Sequence, residues 1–330
     1  MKALAIENYG KNPNFLDFPK PRINNDEVLV EIYAASINPL DTKIRKGELK
    51  LLLKYKMPLI LGNDFSGKIV EVGTSVTKFK VGDEVYGRPR ANKMGTFTEY
   101  LSVNQEDIAL KPKNLSFEEA ASIPLVGLTS YQALHDILRI EKGHKILIHA
   151  GSGGVGTFAI QLAKHMGAFV ATTASDGSDL VKSLGADEVI NYKIEEFEHS
   201  IRDYDAVLDT IGGATLEKSF VTLKKGGKIV SISGIPNRRF AKENGFSSFK
   251  KTLFSIASYK LTKLEKKHNV QYTFLFMKHS GEQLKILTEM LESEVIKPTL
   301  DKVFIFEDAQ KALEYAEAGR AKGKIILKLK

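Results

Sequence analysis

The stretch His149-Ala150-Gly151-Ser152-Gly153-Gly154-Val155-Gly156 decides how this chain reads. An apolar, strand-like run, Lys145-Ile146-Leu147-Ile148, leads into it, and a helix-like run from Val155 to Met166 leads out. Glycine spacings of this kind arise by chance, but a strand before and a helix after are the context a dinucleotide site demands. In that reading Gly151 makes the tight turn, Gly153 lets the backbone approach a pyrophosphate, and Gly156 lets helix and strand pack closely. Ser152, Gly154 and Val155 complete the cradle, where a helix start offers free N–H groups and a positive dipole end. Val155, Ala159, Leu162 and Met166 fall on one helical face, which is expected to cover a sheet.

Outward from this turn the chain has two rhythms. The first 120 residues or so read as short strands, such as Glu27–Ile32, Gly67–Val72 and Asp83–Tyr86, punctuated by Gly73, Gly82 and Gly87. That is the pattern of a small, mostly β domain. From about Ser122 helix and strand alternate: strand 145–150, helix 155–166, strand 168–173, helix 179–184, strand 188–190, strand 206–209, helix near 214–223 and strand 228–233. Alternation of this kind implies a parallel sheet with helices on both faces and a ligand crevice at the carboxyl ends of its strands. Residues 236–268 read as a basic excursion containing one amphipathic helix, followed by strand 270–277 and helix 281–291. Strand 302–306, helix 307–317 and strand 324–328 close the chain and are expected to complete the first domain. The domains are therefore placed at 1–121, completed by about 295–330, and at 122–294.

Composition narrows the class. A chain of 330 residues, 43% apolar and 27% charged, suits a globular protein of two domains. No apolar run approaches the roughly 18 residues of a membrane span, so no membrane partner is expected. The start, Met1-Lys2-Ala3-Leu4-Ala5-Ile6-Glu7, meets an acid too early for a signal peptide and reads as a first strand. Cysteine is absent, which excludes disulfides and thiolate metal ligands and fits a cytoplasmic location. The net charge of +8 is scattered apart from Lys250-Lys251 and Lys260 to Lys267, and no nucleic-acid motif accompanies it. Solvated faces are the expected reading, with a positive field that favours an anionic ligand.

Further stretches carry a resemblance. These are Asn38-Pro39-Leu40-Asp41 with Arg45 and Gly47, then Leu61-Gly62-Asn63-Asp64-Phe65-Ser66-Gly67 and Val81-Gly82-Asp83-Glu84-Val85-Tyr86. Leu128-Thr129-Ser130-Tyr131-Gln132-Ala133-Leu134, Lys182-Ser183-Leu184-Gly185-Ala186-Asp187 and Gly319-Arg320-Ala321-Lys322-Gly323-Lys324 complete the set. In this order they resemble the medium-chain dehydrogenase/reductase superfamily, in its zinc-free branch of quinone and alkenal (enone) oxidoreductases, over nearly the whole chain. The resemblance implies an α/β protein: a GroES-like mostly-β catalytic domain plus a Rossmann-type, doubly wound parallel-sheet domain, with substrate between them. It also implies a homodimer, with strand 270–277 at the sheet edge. The zinc-dependent relatives place a cysteine near Ser36 and a histidine–glutamate pair where Asn63-Asp64 stands, so no metal is expected.

Preference for NAD follows an acid at the end of the second strand. Here that strand ends Val170-Ala171-Thr172-Thr173-Ala174-Ser175, with hydroxyls that tolerate a 2′-phosphate, so NADP(H) is the expected cofactor. The resemblance carries Ser175, Tyr192 and Arg320 onto positions at the 2′-phosphate, and Thr129, Ser233 and Gly234 onto positions near the nicotinamide. Asp176 and Asp179 depart from the family, whose members often carry a cation in this loop. Tyr192 stands equally well as a packed aromatic.

For the chemistry, hydride transfer to a quinone or α,β-unsaturated carbonyl builds negative charge on an oxygen, which needs a positioned donor and then a proton. Lys43, Asn38 and Asp41 are expected on a loop after strand 28–34, beside the nicotinamide. Lys43 serves as oxyanion partner or is an ordinary surface lysine, Asn38 acts or caps, and Asp41 acts or pairs with Lys43 or Arg45. Lysine at position 43 tilts the resemblance toward enones. Tyr55 and Tyr86 either approach substrate or pack. His149 reads as a satisfied strand-end residue. A competing class is a protein that holds the cofactor without turnover, crystallin-like or RNA-associated, for which Lys250–Lys267 is the only support.

Overall fold

Runs of β-branched and aliphatic residues build the N-terminal part of the molecule, and the computed structural model describes all of Met1–Lys330. Strands β1 (Lys2–Ile6), β2 (Asn14–Asp17) and β3 (Glu27–Ile37) come first, and helix α1 (Pro39–Lys46) follows β3. Strands β4 (Leu59–Ile60), β5 (Asp64–Val72), β6 (Glu84–Gly87), β7 (Tyr100–Asn104) and β8 (Ile108–Leu110) lead to helix α2 (Phe117–Ala121). Strand β3 is buried along most of its length because β5 and β7 flank it and both its faces are covered. Val28, Val30, Ile32, Phe65, Ile69, Val85 and Val103 form the core between these strands.

Helix α3 (Pro124–Tyr131), continued by a wider turn to Leu138, leads into the alternating region. There strands β9 (Lys145–Ile148), β10 (Phe169–Ala174), β11 (Glu188–Asn191), β12 (Tyr204–Asp209) and β13 (Leu223–Ser231) alternate with helices α4 (Gly154–His165), α5 (Ser178–Ser183), α6 (Phe197–Ser200) and α7 (Gly213–Ser219). Helices α8 (Arg238–Glu243), α9 (Ser248–Ala257) and α10 (Tyr259–His268) precede β14 (Gln271–Phe274). The strands pair in parallel in the order β11-β10-β9-β12-β13-β14. Numbered from β9, that is the 3-2-1-4-5-6 order of a dinucleotide-binding sheet. Ile146, Leu147 and Ile148 are fully buried, as a strand covered on both faces requires. On α4 the buried side is wider than the expected stripe: Phe158, Ala159, Ile160, Leu162 and Ala163 are covered. Val155 and Met166, at the two ends of the helix, are only half-buried.

The chain then adds α11 (Gly281–Glu292), β15 (Leu300–Ile305), α12 (Ala309–Glu317) and β16 (Lys324–Lys328). Strand β16 pairs with β3 in antiparallel register, Ile325 opposite Ile37 and Ile326 opposite Ser36, and β15 extends the sheet beyond it. The last two strands thus join the sheet built around β3.

Two compact units result, Met1–Leu128 with Lys278–Lys330, and Thr129–Met277. The expected boundaries at 121/122 and 294/295 move accordingly. Helix α3 carries the chain across the first boundary. Helix α11 belongs to the first unit because its Leu284 and Leu287 are fully buried there and its Leu284 carbonyl accepts from Tyr86 Oη at 2.8 Å. The excursion at 236–268 is also corrected: it holds three helices rather than one. Asn237 and Ser247 cap α8 and α9, and Phe240, Phe246, Phe254 and Phe274 interlock in edge-on and tilted contacts. Lysines between these aromatics obscured the pattern. No helix is long and apolar enough to cross a membrane.

Candidate active site

In the second unit, β9 ends at Ile148 and the chain turns at Ala150, which adopts a left-handed φ of 51°. The Ala150 carbonyl accepts from the Gly153 N–H at 3.0 Å, so Gly151 and Ser152 are the two central residues of the tight turn. Gly151 is required because a Cβ there would lie 2.1 Å from Thr172 Oγ1 on β10. A Cβ on Gly156 would lie 2.4 Å from the Ala150 carbonyl oxygen, so this glycine does allow helix and turn to close together. At Gly153 the nearest atom would be 3.4 Å away. That leaves its outer side open to a ligand. Gly153 is the N-cap of α4 and no side chain caps that terminus. The first-turn amides, Gly154 and Val155 among them, are thereby left for an anion. Ser152 packs against Gly177, where a Cβ would come within 2.4 Å of Ser152 Cβ. Sequence reading had not singled out Gly177.

At the end of β10, Ser175 Oγ donates to Tyr192 Oη at 3.0 Å, and Tyr192 is 57% exposed. Two of the three candidates for a 2′-phosphate are brought together, and Tyr192 is not a packed aromatic. Asp176, the residue that departs from the family pattern, is paired with Lys193 at 2.9 Å. Lys193, from the turn after β11, thus offsets the charge of Asp176 in this loop. Arg320 is exposed on the turn between α12 and β16, in the first unit.

Beyond β12 and β13, the buried Asp209 organises the strand ends. It accepts from the backbone N–H groups of Ile211 and Gly212 and from Ser231 Oγ at 2.5 Å. Ser231 Oγ in turn accepts from the N–H groups of Ser233 and Gly234, and Ser233 Oγ donates to the Thr210 carbonyl. Gly234 has no room for a side chain, since a Cβ would meet Tyr272 Oη at 2.4 Å. Thr129 is buried on α3. His149 is fully buried, with Ser219 Oγ at 2.9 Å from Nε2 and Thr173 Oγ1 at 3.2 Å from Nδ1. Desolvation holds its pKa down at about 4, against the opposing pull of Asp209, so it is neutral and only a weak base, with both ring nitrogens already partnered.

The first unit holds a buried polar cluster at the ends of β3, β5 and β16. Asp64 Oδ2 accepts from Ser36 Oγ at 2.6 Å and Asn38 Nδ2 at 2.9 Å, and Oδ1 accepts from the Leu125 N–H at 2.8 Å. The Lys324 ammonium lies 3.4 Å from Asp64 Oδ2 and donates to Asn38 Oδ1 and the Ile37 carbonyl. Register explains the encounter: Ser36 lies opposite both Asp64 on β5 and Ile326 on β16. Burial pulls the Lys324 pKa down, and the Asp64 and Asp41 carboxylates oppose that shift. Asp41 accepts from the Asn38 N–H at 2.8 Å and from Asn63 Nδ2 at 2.8 Å. Burial pushes its pKa up to about 7 despite those two hydrogen bonds.

Several expectations change here. Asn38, Asp41 and Lys43 lie on helix α1 and its N-cap, not on a loop, because Pro39 at the first helical position and Asp41 reaching back to Asn38 start a helix. Asp41 pairs with neither Lys43 nor Arg45; Arg45 pairs with Glu317 at 2.5 Å. Lys43 is half-buried on α1. Tyr86 is a packing residue, fully buried and bonded to Leu284 and Thr288. Sequence reading missed Arg88 altogether and took Lys324 only as the end of a family stretch, without a place in the site. Arg88 is buried with its Nε unpartnered, and Tyr55 Oη, Asn63 Oδ1 and Thr96 Oγ1 are likewise buried without partners in this unit. Orphaned polar atoms in a native fold call for an explanation, and a bound ligand atom is one. The Arg88 and Asp41 charges both act on the Tyr55 hydroxyl, whose pKa burial raises.

A zinc ion does not fit this cluster. Its donor set offers no thiolate and no imidazole, and the one carboxylate at the matching position, Asp64, already has its lone pairs engaged by Ser36, Asn38, Leu125 and the Lys324 ammonium.

A β-rich unit joined to a 3-2-1-4-5-6 parallel sheet with a glycine turn after its first strand defines the class of two-domain nicotinamide dehydrogenases. Family models agree: one described as "Alcohol dehydrogenase GroES-like domain" matches residues 24–113, and one described as "Zinc-binding dehydrogenase" matches residues 184–327. The chain is similar to the mitochondrial NAD(P)H oxidoreductase RTN4IP1 of Danio rerio, 34% identical over 356 residues, covering 100% of this chain and 91% of that protein. It is 36% identical over 345 residues to the 2-methylene-furan-3-one reductase of Solanum lycopersicum, covering 99% and 79%. Among solved structures, the quinone oxidoreductase from Coxiella burnetii superposes with a TM-score of 0.85 at 32% identity, covering 100% and 99%. The Escherichia coli quinone oxidoreductase complexed with NADPH gives 0.84 at 27% identity, covering 100% of both. The chain belongs to the medium-chain dehydrogenase/reductase family, in the zinc-free branch of quinone and alkenal/one oxidoreductases.

Proposed function

We infer that this chain is a zinc-independent, NADPH-dependent oxidoreductase that reduces quinones or α,β-unsaturated carbonyls by hydride transfer. The observation that carries the reading is the uncapped start of α4 behind a turn that admits no side chain at Gly151 or Gly156. When bound, the reduced nicotinamide supplies the hydride. The amides from Gly151 to Gly156, with Ser152 beside them, hold the pyrophosphate. Ser175 and Tyr192 hold the 2′-phosphate with Lys193 and Arg320 as cations, while Thr129, Ser233 and Gly234 orient the nicotinamide. Lys43, Arg88 and the Tyr55 hydroxyl are the donors for the oxygen that gains charge. Asn38 and Asp41 are positioning residues: Asp41 fixes the Asn63 amide so that its Oδ1 points away from the carboxylate. A cytoplasmic location and a homodimer belong to the same reading, the latter supported by β14 at one edge of its sheet.

The test follows loss of reduced-nicotinamide absorbance with a panel of quinones and short alkenals, using NADPH and NADH in parallel. Oxidation of NADPH in preference to NADH with at least one acceptor class is expected. Tight NADPH binding with no acceptor reduced would instead assign the chain to the non-catalytic, crystallin-like class.

A further inference from the structure

Charge is distributed very unevenly along this chain. Between Pro236 and His268 stand nine basic residues (Arg238, Arg239 and seven lysines) against two acids, Glu243 and Glu265. That segment of three helices therefore carries +7 of the chain's +8. It also carries exposed apolar side chains. Phe249 is 78% exposed, Ile256 69% and Leu253 38% on α9, and Tyr259 is 69% exposed at the start of α10. At about 100° per residue, Phe249, Leu253 and Ile256 share one narrow face of α9. The opposite face is held down by Phe254, which is 4% exposed and packed on Phe240 and Phe246. Helix α9 is thus amphipathic with its apolar stripe turned outward.

We propose that α9 and α10 form a docking surface for an anionic lipid bilayer, lying on the membrane rather than crossing it. An interfacial helix needs an apolar stripe that enters the acyl boundary and cations at headgroup level, and this segment has both. Lysine stems are long enough to lie along the apolar surface while their ammonium groups stay in water. A second copy of the chain is a poor occupant of a symmetric contact, because two faces would meet on each of which α9 and α10 together bring six lysines against the single acid Glu265. Nucleic acid satisfies the charge and leaves the aliphatic Leu253 and Ile256 without a partner. The inference does not depend on turnover, and its test reads binding alone.

The experiment is flotation of the full chain with phosphatidylcholine vesicles, alone or with about 30% phosphatidylserine, at low and high salt. The chain is expected to float with the anionic vesicles only and to lose roughly tenfold in partition when salt is raised. The Phe249→Gln, Ile256→Gln double variant is expected to lose about tenfold as well, with unchanged circular dichroism and unchanged sedimentation. The Lys263→Gln, Lys267→Gln variant is a second arm, since it removes charge without touching the apolar stripe. Absence of flotation, or flotation indifferent to the apolar substitutions, overturns the proposal. A change of oligomer mass in the apolar variant assigns the face to a second copy, and retention on single-stranded RNA without flotation assigns it to nucleic acid.

Discussion

Replacing Lys324 by methionine tests the account of the polar cluster in the first unit. The ammonium is almost fully buried against a fully buried carboxylate, the two side chains being 5% and 0% exposed. Methionine is long and apolar, so it fills the channel that the lysine stem occupies and adds little cavity cost. What is lost is the cation: Asp64 and Asp41 remain among buried groups, and Asn38 Oδ1 and the Ile37 carbonyl lose their donor. Breaking a buried pair by removing one partner costs about 3–5 kcal/mol, a factor of at least about 10² in the folding equilibrium. Removing both charges costs far less, because no uncompensated ion is left. The assay is urea unfolding of Lys324→Met, Asp64→Asn and the double variant, followed by fluorescence and circular dichroism. The single lysine variant is expected to lose about 3–5 kcal/mol, and the double variant to recover most of it. A loss below about 1 kcal/mol, or a double variant as unstable as the single, refutes the claim that Lys324 compensates Asp64.

Other expectations follow from the same geometry. Gly156→Ala places a Cβ against the backbone oxygen of Ala150 and should weaken NADPH binding at least about tenfold, as titrated by cofactor fluorescence, with the fold retained. Ser175→Ala with Tyr192→Phe removes the hydroxyl pair and should raise the KM for NADPH about tenfold while leaving that for NADH unchanged. Asp41 has a folded pKa of about 7, above its ordinary carboxylate value of 3.8, so the folded state takes up its proton first. That group's contribution to stability therefore rises as pH falls from 7 to 4 and is absent above the upper value. The stability of the protein relative to Asp41→Asn should grow by about 3–4 kcal/mol between pH 8 and pH 4, measured by urea unfolding of both. Lys43→Ala should lower kcat more than it lowers NADPH affinity; unchanged turnover removes Lys43 from the donors.

Local chemistry made much of the fold legible. A strand ending Ile146-Leu147-Ile148, a glycine turn and an apolar helix signal one unit of a parallel sheet, because each signal depends on neighbours a few residues apart. The same holds for Ser175 as a hydroxyl-bearing strand end and for the strand at 324–328, whose bounds are those of β16. The helix holding Asn38, Asp41 and Lys43 escaped detection because its signals, Pro39 at the start and Gly47 in a left-handed C-cap at φ 76°, are compressed into eight residues of mixed polarity. The three helices at 236–268 escaped because lysines interrupt their aromatic contacts in sequence but not in space.

The sequence by itself therefore determined the class of the protein: a glycine-turn parallel sheet inserted in the chain between two segments of a β-rich unit, with no thiolate for a metal. Only the tertiary structure decided which groups surround Asp64 at that position and which buried polar atoms have no protein partner. Lys324 reaches Asp64 across 260 positions of chain because the register of β16 on β3 and of β3 on β5 brings their ends together. Tyr55, Asn63 and Arg88 acquire unpartnered buried atoms only when strands and loops from separate parts of the chain close over them. Periodicity is a property of near neighbours, whereas desolvation and charge pairing arise where distant segments meet.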